Sequence, residues 1–199
     1  MTITLTARKV LGMDPPFIVC RNISELPGGD TPYTASEMAE RGVPHRTIIW
    51  AFLRPSVLGA AFGETVCRIA EAVLPAFEAA RPGDTGPGAA IEAARRCFAD
   101  PTADNRLAAN AASGQAGIGS RAARASWQGP AVAWTAAEAA AAAAQAVAWT
   151  AADVAQAATW ATLAGDAAFA ANAARTAAQA VRAGCSEAKL ITIIEEEGL

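Results

Sequence analysis

Between Ala131 and Ala183 more than half of the residues are alanine, and one segment repeats almost unchanged: Ala131-Val-Ala-Trp-Thr-Ala-Ala-Glu138 returns as Ala146-Val-Ala-Trp-Thr-Ala-Ala-Asp153. Alanine is the strongest helix former because it loses no side-chain entropy when a helix forms. It carries little apolar area, so an alanine-rich helix gains stability only by packing very close to a neighbour. The block therefore predicts a tightly packed helical array with tryptophans as its few large anchors. The expected fold class is all-α: an alanine-rich helical bundle or stacked helical array with a small irregular or β-containing N-terminal segment.

Punctuation along the chain divides it further. Residues 1–33 read as the irregular or β segment, since Thr2 to Thr6 alternates with period two and Leu26-Pro-Gly-Gly-Asp30 is a loop by composition. Residues 34–80 read as short helices. Thr34-Ala-Ser-Glu37 has the form of a capping box, His45 to Leu53 is apolar on one face, and Ser56 to Ala80 keeps helical spacing until Pro75. Residues 81–88 form a loop, and residues 89–184 the alanine-rich array. Asp100 and Pro101 suit the cap and first position of a helix reaching about Trp127. Gly114, Gly117 and Gly119 within it predict either a break or a close helix crossing. Residues 185–199 read as a C-terminal tail, in which Lys189 to Ile194 forms either a strand beside Thr2–Thr6 or a last amphipathic helix.

Within the array the chain from 131 to 164 is one helix or two stacked ones. In one helix, Trp134 and Trp149 are offset by about 60° and Trp149 and Trp160 by about 20°, so the three rings share a stripe. The stripe serves as a core seam or as a docking face. Between Trp127 and Asn172 the only charges are Glu138, Asp153 and Asp166. So sparse a set predicts shielding on several sides, by neighbouring helices or by a second copy in a homo-oligomer.

Chemistry-bearing patterns are few. His45 is the only histidine, so any nucleophile–base arrangement would have to use it, and its place at a helix start predicts a capping or exposed role. No catalytic residue, metal ligand set or cofactor motif is expected. Cys20, Cys67, Cys97 and Cys185 are widely spaced and read as free thiols of a cytoplasmic protein. Neither a leader peptide nor a membrane span is expected. Net charge is −3, which argues against a nucleic-acid footprint. The segment Glu37 to Leu53 nonetheless has a helix-turn-helix outline, with His45, Arg46 and Thr47 where a recognition helix would begin. Arg95, Arg96, Arg106, Arg121 and Arg124 form either a basic patch or a solvated face.

The segment Val73-Leu-Pro-Ala-Phe-Glu-Ala-Ala-Arg-Pro-Gly-Asp84, with Pro87 and Ala90-Ile-Glu-Ala-Ala-Arg95, resembles the alanine-rich immunity protein family of bacteria and phages. Asp100 to Arg106 is similar to the family's spacer, and Gly42-Val-Pro44 with the Trp50 helix to its phage-type members. The likeness spans Ser36 to Ala183. It departs at Gly86 and Gly88, where members commonly carry arginine. Pro75, Phe77, Glu78, Asp84, Pro87 and Glu92 also admit a structural reading. On it, proline and Asp84 shape the loop, Phe77 and Ile91 pack, and Glu78 and Glu92 pair with Arg81, Arg95 or Arg96.

The resemblance implies a toxin-neutralising protein. The expected function is non-enzymatic inhibition by occlusion of a protein partner, either a toxin or a host defence protein such as a CRISPR effector. The expected contacts are Trp134, Trp149, Trp160, Arg95, Arg96, Arg121 and Arg124. A DNA-binding regulator using residues 37–53 and a self-assembling helical protein are the alternatives.

Overall fold

The computed structural model describes residues 3–80, 82–125, 174 and 176–197. Within them the fold is all-α with one small sheet at the N-terminal end. Trp134, Trp149 and Trp160, and the choice between one helix and two over 131–164, lie outside the described residues.

The sheet is a single antiparallel pair, β1 (Leu5–Thr6) and β2 (Pro32–Tyr33), in register Leu5 to Tyr33 and Thr6 to Pro32. It is shorter than the Thr2–Thr6 alternation predicts, because Thr6 caps a helix: its Oγ1 accepts from the Lys9 amide at 3.0 Å. The rest of the N-terminal segment is helical, as α1 (Ala7–Leu11) and α2 (Phe17–Ser24). Pro16 precedes α2 with φ −56° and ψ 149°, and its carbonyl accepts from the Val19 and Cys20 amides. The Asp-Pro-Pro stretch therefore starts a helix rather than a strand.

The expected capping box opens α3 (Ala35–Glu40): Thr34 Oγ1 accepts from the Glu37 amide at 3.1 Å, and Glu37 Oε2 accepts from the Thr34 amide at 2.8 Å. Gly42 follows at φ +81°, and α4 (His45–Phe52) begins after Pro44. The long pattern from Ser56 to Ala80 is broken three times. It forms α5 (Pro55–Leu58), a 3-10 turn (Gly59–Ala61), α6 (Phe62–Glu71) and α7 (Leu74–Ala80). Gly59 at φ +55° redirects the chain, and Pro75, which has no amide hydrogen to give, falls in the first turn of α7 where none is needed.

Helix α8 runs Gly86–Ala99, with Pro87 in its first turn. Asp100 does not open the next helix. It ends α8, with its amide on the Arg96 carbonyl at 2.9 Å. Thr102 takes the capping role instead, its Oγ1 accepting from the Asn105 amide at 3.2 Å, and α9 runs Ala103–Ala125 straight through the three glycines.

After a helical turn over residues 176–182 and Gly184 at φ +99°, the chain ends its described part in α10 (Glu187–Glu197). This is a helix, not a strand and not a loose tail. Leu190, Ile191, Ile193 and Ile194 are buried, and α10 packs against α3, α4 and α6. Each such side chain contributes roughly 1.5–3 kcal/mol when fully buried. The core is one continuous cluster that joins the N-terminal hairpin, α3–α6, α8 and α10, while α9 covers α8.

Candidate interaction surface

Arg95, expected as a partner contact, is held inside the molecule. Its Nε and Nη2 each donate to Glu64 at 2.9 Å, and its Nη1 donates to Glu71 at 2.9 Å and Glu92 at 3.0 Å. Glu64 and Glu71 sit two turns apart on α6, and Glu92 one turn before Arg95 on α8, so a single guanidinium fork bridges the helices. Hydrogen bonds to Glu71 and then Glu64 raise the arginine's affinity for its proton still further. This cluster is a pin, and it corrects the reading of Arg95 as a docking residue. It agrees with the expected pairing of Glu92 with a neighbouring arginine.

The rest of the predicted basic patch does not assemble around it. Arg106 donates to the Pro101 carbonyl at 2.8 Å. Arg96 is exposed on α8, and Arg121 and Arg124 lie on the C-terminal part of α9.

The helix-turn-helix outline is real in its backbone but occupied at its business end. Nδ1 of His45 lies 3.0 Å from Glu187 of α10. Thr47 is fully buried, and its Oγ1 accepts from Asn22 of α2 at 2.7 Å. Ile48 and Ile49 face the core. A recognition helix needs its first residues free to enter a groove; here Arg46 is exposed while both its neighbours are engaged.

The thiols are poor nucleophiles. Cys67, Cys97 and Cys185 are buried, Cys20 is partly so, and all four are free. Burial pushes the Cys67 thiol up to about 12, with Arg95 opposing and the three glutamates adding to the rise. No group of three or more metal-ligating side chains gathers among the described residues. No helix among them is long and apolar enough to cross a membrane.

The loop of residues 81–88 borders an open groove of about 520 Å³, lined by Glu78, Asp84, Thr85 and Gly88. Asp84 shapes it by accepting from the Gly86 amide at 3.1 Å, and Phe77 and Ile91 are buried beneath it, as the structural reading of the motif predicts. A Cβ on Gly88 would meet only Leu74 at 3.8 Å, an ordinary contact, so this position has room for a side chain.

One feature calls for a partner more directly. Among the described residues the exposed large apolar side chains are Leu11, Phe17, Ile18 and Leu107, at 41%, 83%, 42% and 70% exposure. Three of the four fall in one turn, where α1 meets α2. The turn is built rigidly. Asp14 takes the left-handed conformation at φ +51°, Met13 donates its amide to the Val10 carbonyl at 3.1 Å, and Cys20 Sγ donates to the Pro15 carbonyl at 3.4 Å. Val10, Val19 and Ile23 are buried below and fix both helices to the core. Beside α2 runs a groove of about 650 Å³ lined by Arg21, Asn22, Glu25, Glu40, Arg41 and Pro44.

Sequence reasoning passed over this turn because it took Phe17 to Cys20 as a core run. The signal was available: with Val19 and Ile23 facing inward at helical spacing, Phe17 and Arg21 share the opposite, outward side.

Comparison with family models, with curated proteins and with solved structures finds no match to this chain.

Proposed function

We propose that this chain is a non-enzymatic protein-binding inhibitor that acts in the cytoplasm by covering its partner, as a toxin-neutralising immunity protein or a phage anti-defence protein. The observation that carries the reading is the Leu11–Phe17–Ile18 cluster. Elsewhere the large apolar side chains of the described residues, Leu107 excepted, are withdrawn from water. A phenyl ring held in solvent on a fixed turn loses free energy in isolation and regains it when a partner covers it. Rigid placement also means that little ordering remains to be done on binding. The likeness of residues 73–95 to alanine-rich immunity proteins adds the kind of partner, and the pairing of His45 and the burial of Cys67 favour binding over chemistry.

A pull-down of the tagged protein from bacterial lysate, at low and high salt and with mass spectrometry of the bound fraction, tests this. One stoichiometric protein partner that survives high salt is expected. Bound nucleic acid released by salt, or no companion but the chain itself, overturns the reading in favour of a regulator or a self-assembling protein.

A further inference from the structure

We infer that the α1–α2 turn inserts Phe17 into an apolar pocket with an acidic rim on the partner protein. The inference rests on the protein-binding reading above and adds the chemistry of the site that receives it. The charge around the turn is the basis. Arg21 stands one helical turn from Phe17 on the same side of α2, and Lys9 lies within a turn of Leu11; both are exposed and have no ion-pair partner among the described residues. Arg8 is neutralised by Asp30 at 2.8 Å. Asp14 is the single acid within the turn, and Glu25 lies two turns along α2 from Phe17, lining the neighbouring groove. The rim of the apolar cluster is therefore cationic in a chain whose net charge is −3. Such local reversal favours a receptor of opposite sign and repels a basic one.

Phe17 is almost fully exposed, so its replacement leaves the core untouched. The captured partner is titrated against wild type, Phe17→Asp, Lys9→Glu with Arg21→Glu, and the control Leu107→Asp on α9. Phe17→Asp is expected to weaken binding by about tenfold to a hundredfold. The double charge reversal is expected to cost about tenfold, mostly in association rate, and to abolish the remaining salt dependence. Leu107→Asp is expected to bind as wild type, and thermal unfolding of all variants should coincide. A photoreactive phenylalanine analogue at position 17 is expected to cross-link to a partner segment that carries aspartate or glutamate beside apolar residues.

If wild type binds a partner and neither Phe17→Asp nor the charge reversal weakens it, the inference fails while the protein-binding reading stands. If wild type binds no protein, both fail. Binding of wild type to phosphatidylglycerol vesicles that Phe17→Asp abolishes, or a dimer in sedimentation that Phe17→Asp dissolves, also overturns it, by assigning the turn to a lipid surface or to a second copy.

Discussion

Gly63 of α6 receives the ring of Phe98 from α8. A Cβ added at Gly63 would stand 2.2 Å from Phe98 Cδ2 and 2.5 Å from its Cγ, distances at which real atoms do not coexist. The glycine is thus the groove that lets α6 and α8 approach, and the approach sets where Glu64 and Glu71 meet Arg95.

Alanine in place of a mid-helix glycine normally stabilises by about 1 kcal/mol. At Gly63 the sign should reverse. Turning the ring about χ2 leaves Cγ where it is, so Gly63→Ala must push the helices apart, at a net cost of about 1–3 kcal/mol. Urea unfolding measures this. Combining Gly63→Ala with Phe98→Ala should cost less than the sum of the two single changes. A Gly63→Ala protein more stable than wild type would show that the helices do not touch here.

Arg95 neutralises one of three carboxylates and spreads its charge over the rest. Arg95→Met should therefore lower stability by about 1–2 kcal/mol, a modest figure because the arginine is 30% exposed and solvent screens the pairs. Arg95→Lys should fall between, since an ammonium cannot reproduce the two-pronged contact with Glu64. Thermal unfolding at low and high salt separates the causes: the deficit should narrow in salt, and a deficit independent of salt would point to lost packing instead.

Cys67 makes the fold sensitive to alkali. Its thiol stands at about 12 in the folded protein, against an ordinary 9.0. The folded state therefore holds the proton longer than the unfolded chain does. The stabilisation is complete below pH 9 and is lost as pH climbs from there toward 12, by up to about 1.4 kcal/mol per pH unit. The slope of stability against pH above 9 should flatten in Cys67→Ala. In the native protein at pH 8, a thiol reagent should reach Cys20 first and Cys67 only on unfolding.

Much of this architecture is legible in the residues. Thr34 and Glu37 announce a helix start by chemistry alone, because only that spacing lets each side chain satisfy the other's backbone amide. Pro55, Pro75 and Pro87 mark helix starts for the same local reason. What escaped the sequence depends on which distant segment covers a residue. Lys189 to Ile194 has β-branched character, yet α3, α4 and α6 offer it a helical berth and tertiary burial overrides propensity. Asp100 and Thr102 both suit a cap, and the choice turns on one backbone angle at the end of α8. Arg95 reads as surface until Glu64, 31 positions earlier, is folded against it. Phe17 reads as core until Val19 and Ile23 have taken the inward side.

The last described helix closes a core begun near the start of the chain. Glu195 of α10 accepts from both the amide and the hydroxyl of Ser36, 159 positions earlier, at 2.7 and 2.6 Å, while Arg68 of α6 donates to Glu196 and Glu197. A ribosome releases α3, α4 and α6 with their apolar faces uncovered and must make all the intervening sequence before α10 arrives. At common synthesis rates that interval is roughly ten to thirty seconds. Through that time the nascent N-terminal half depends on a chaperone, or on the tunnel's own shelter, to keep its open face from meeting another chain.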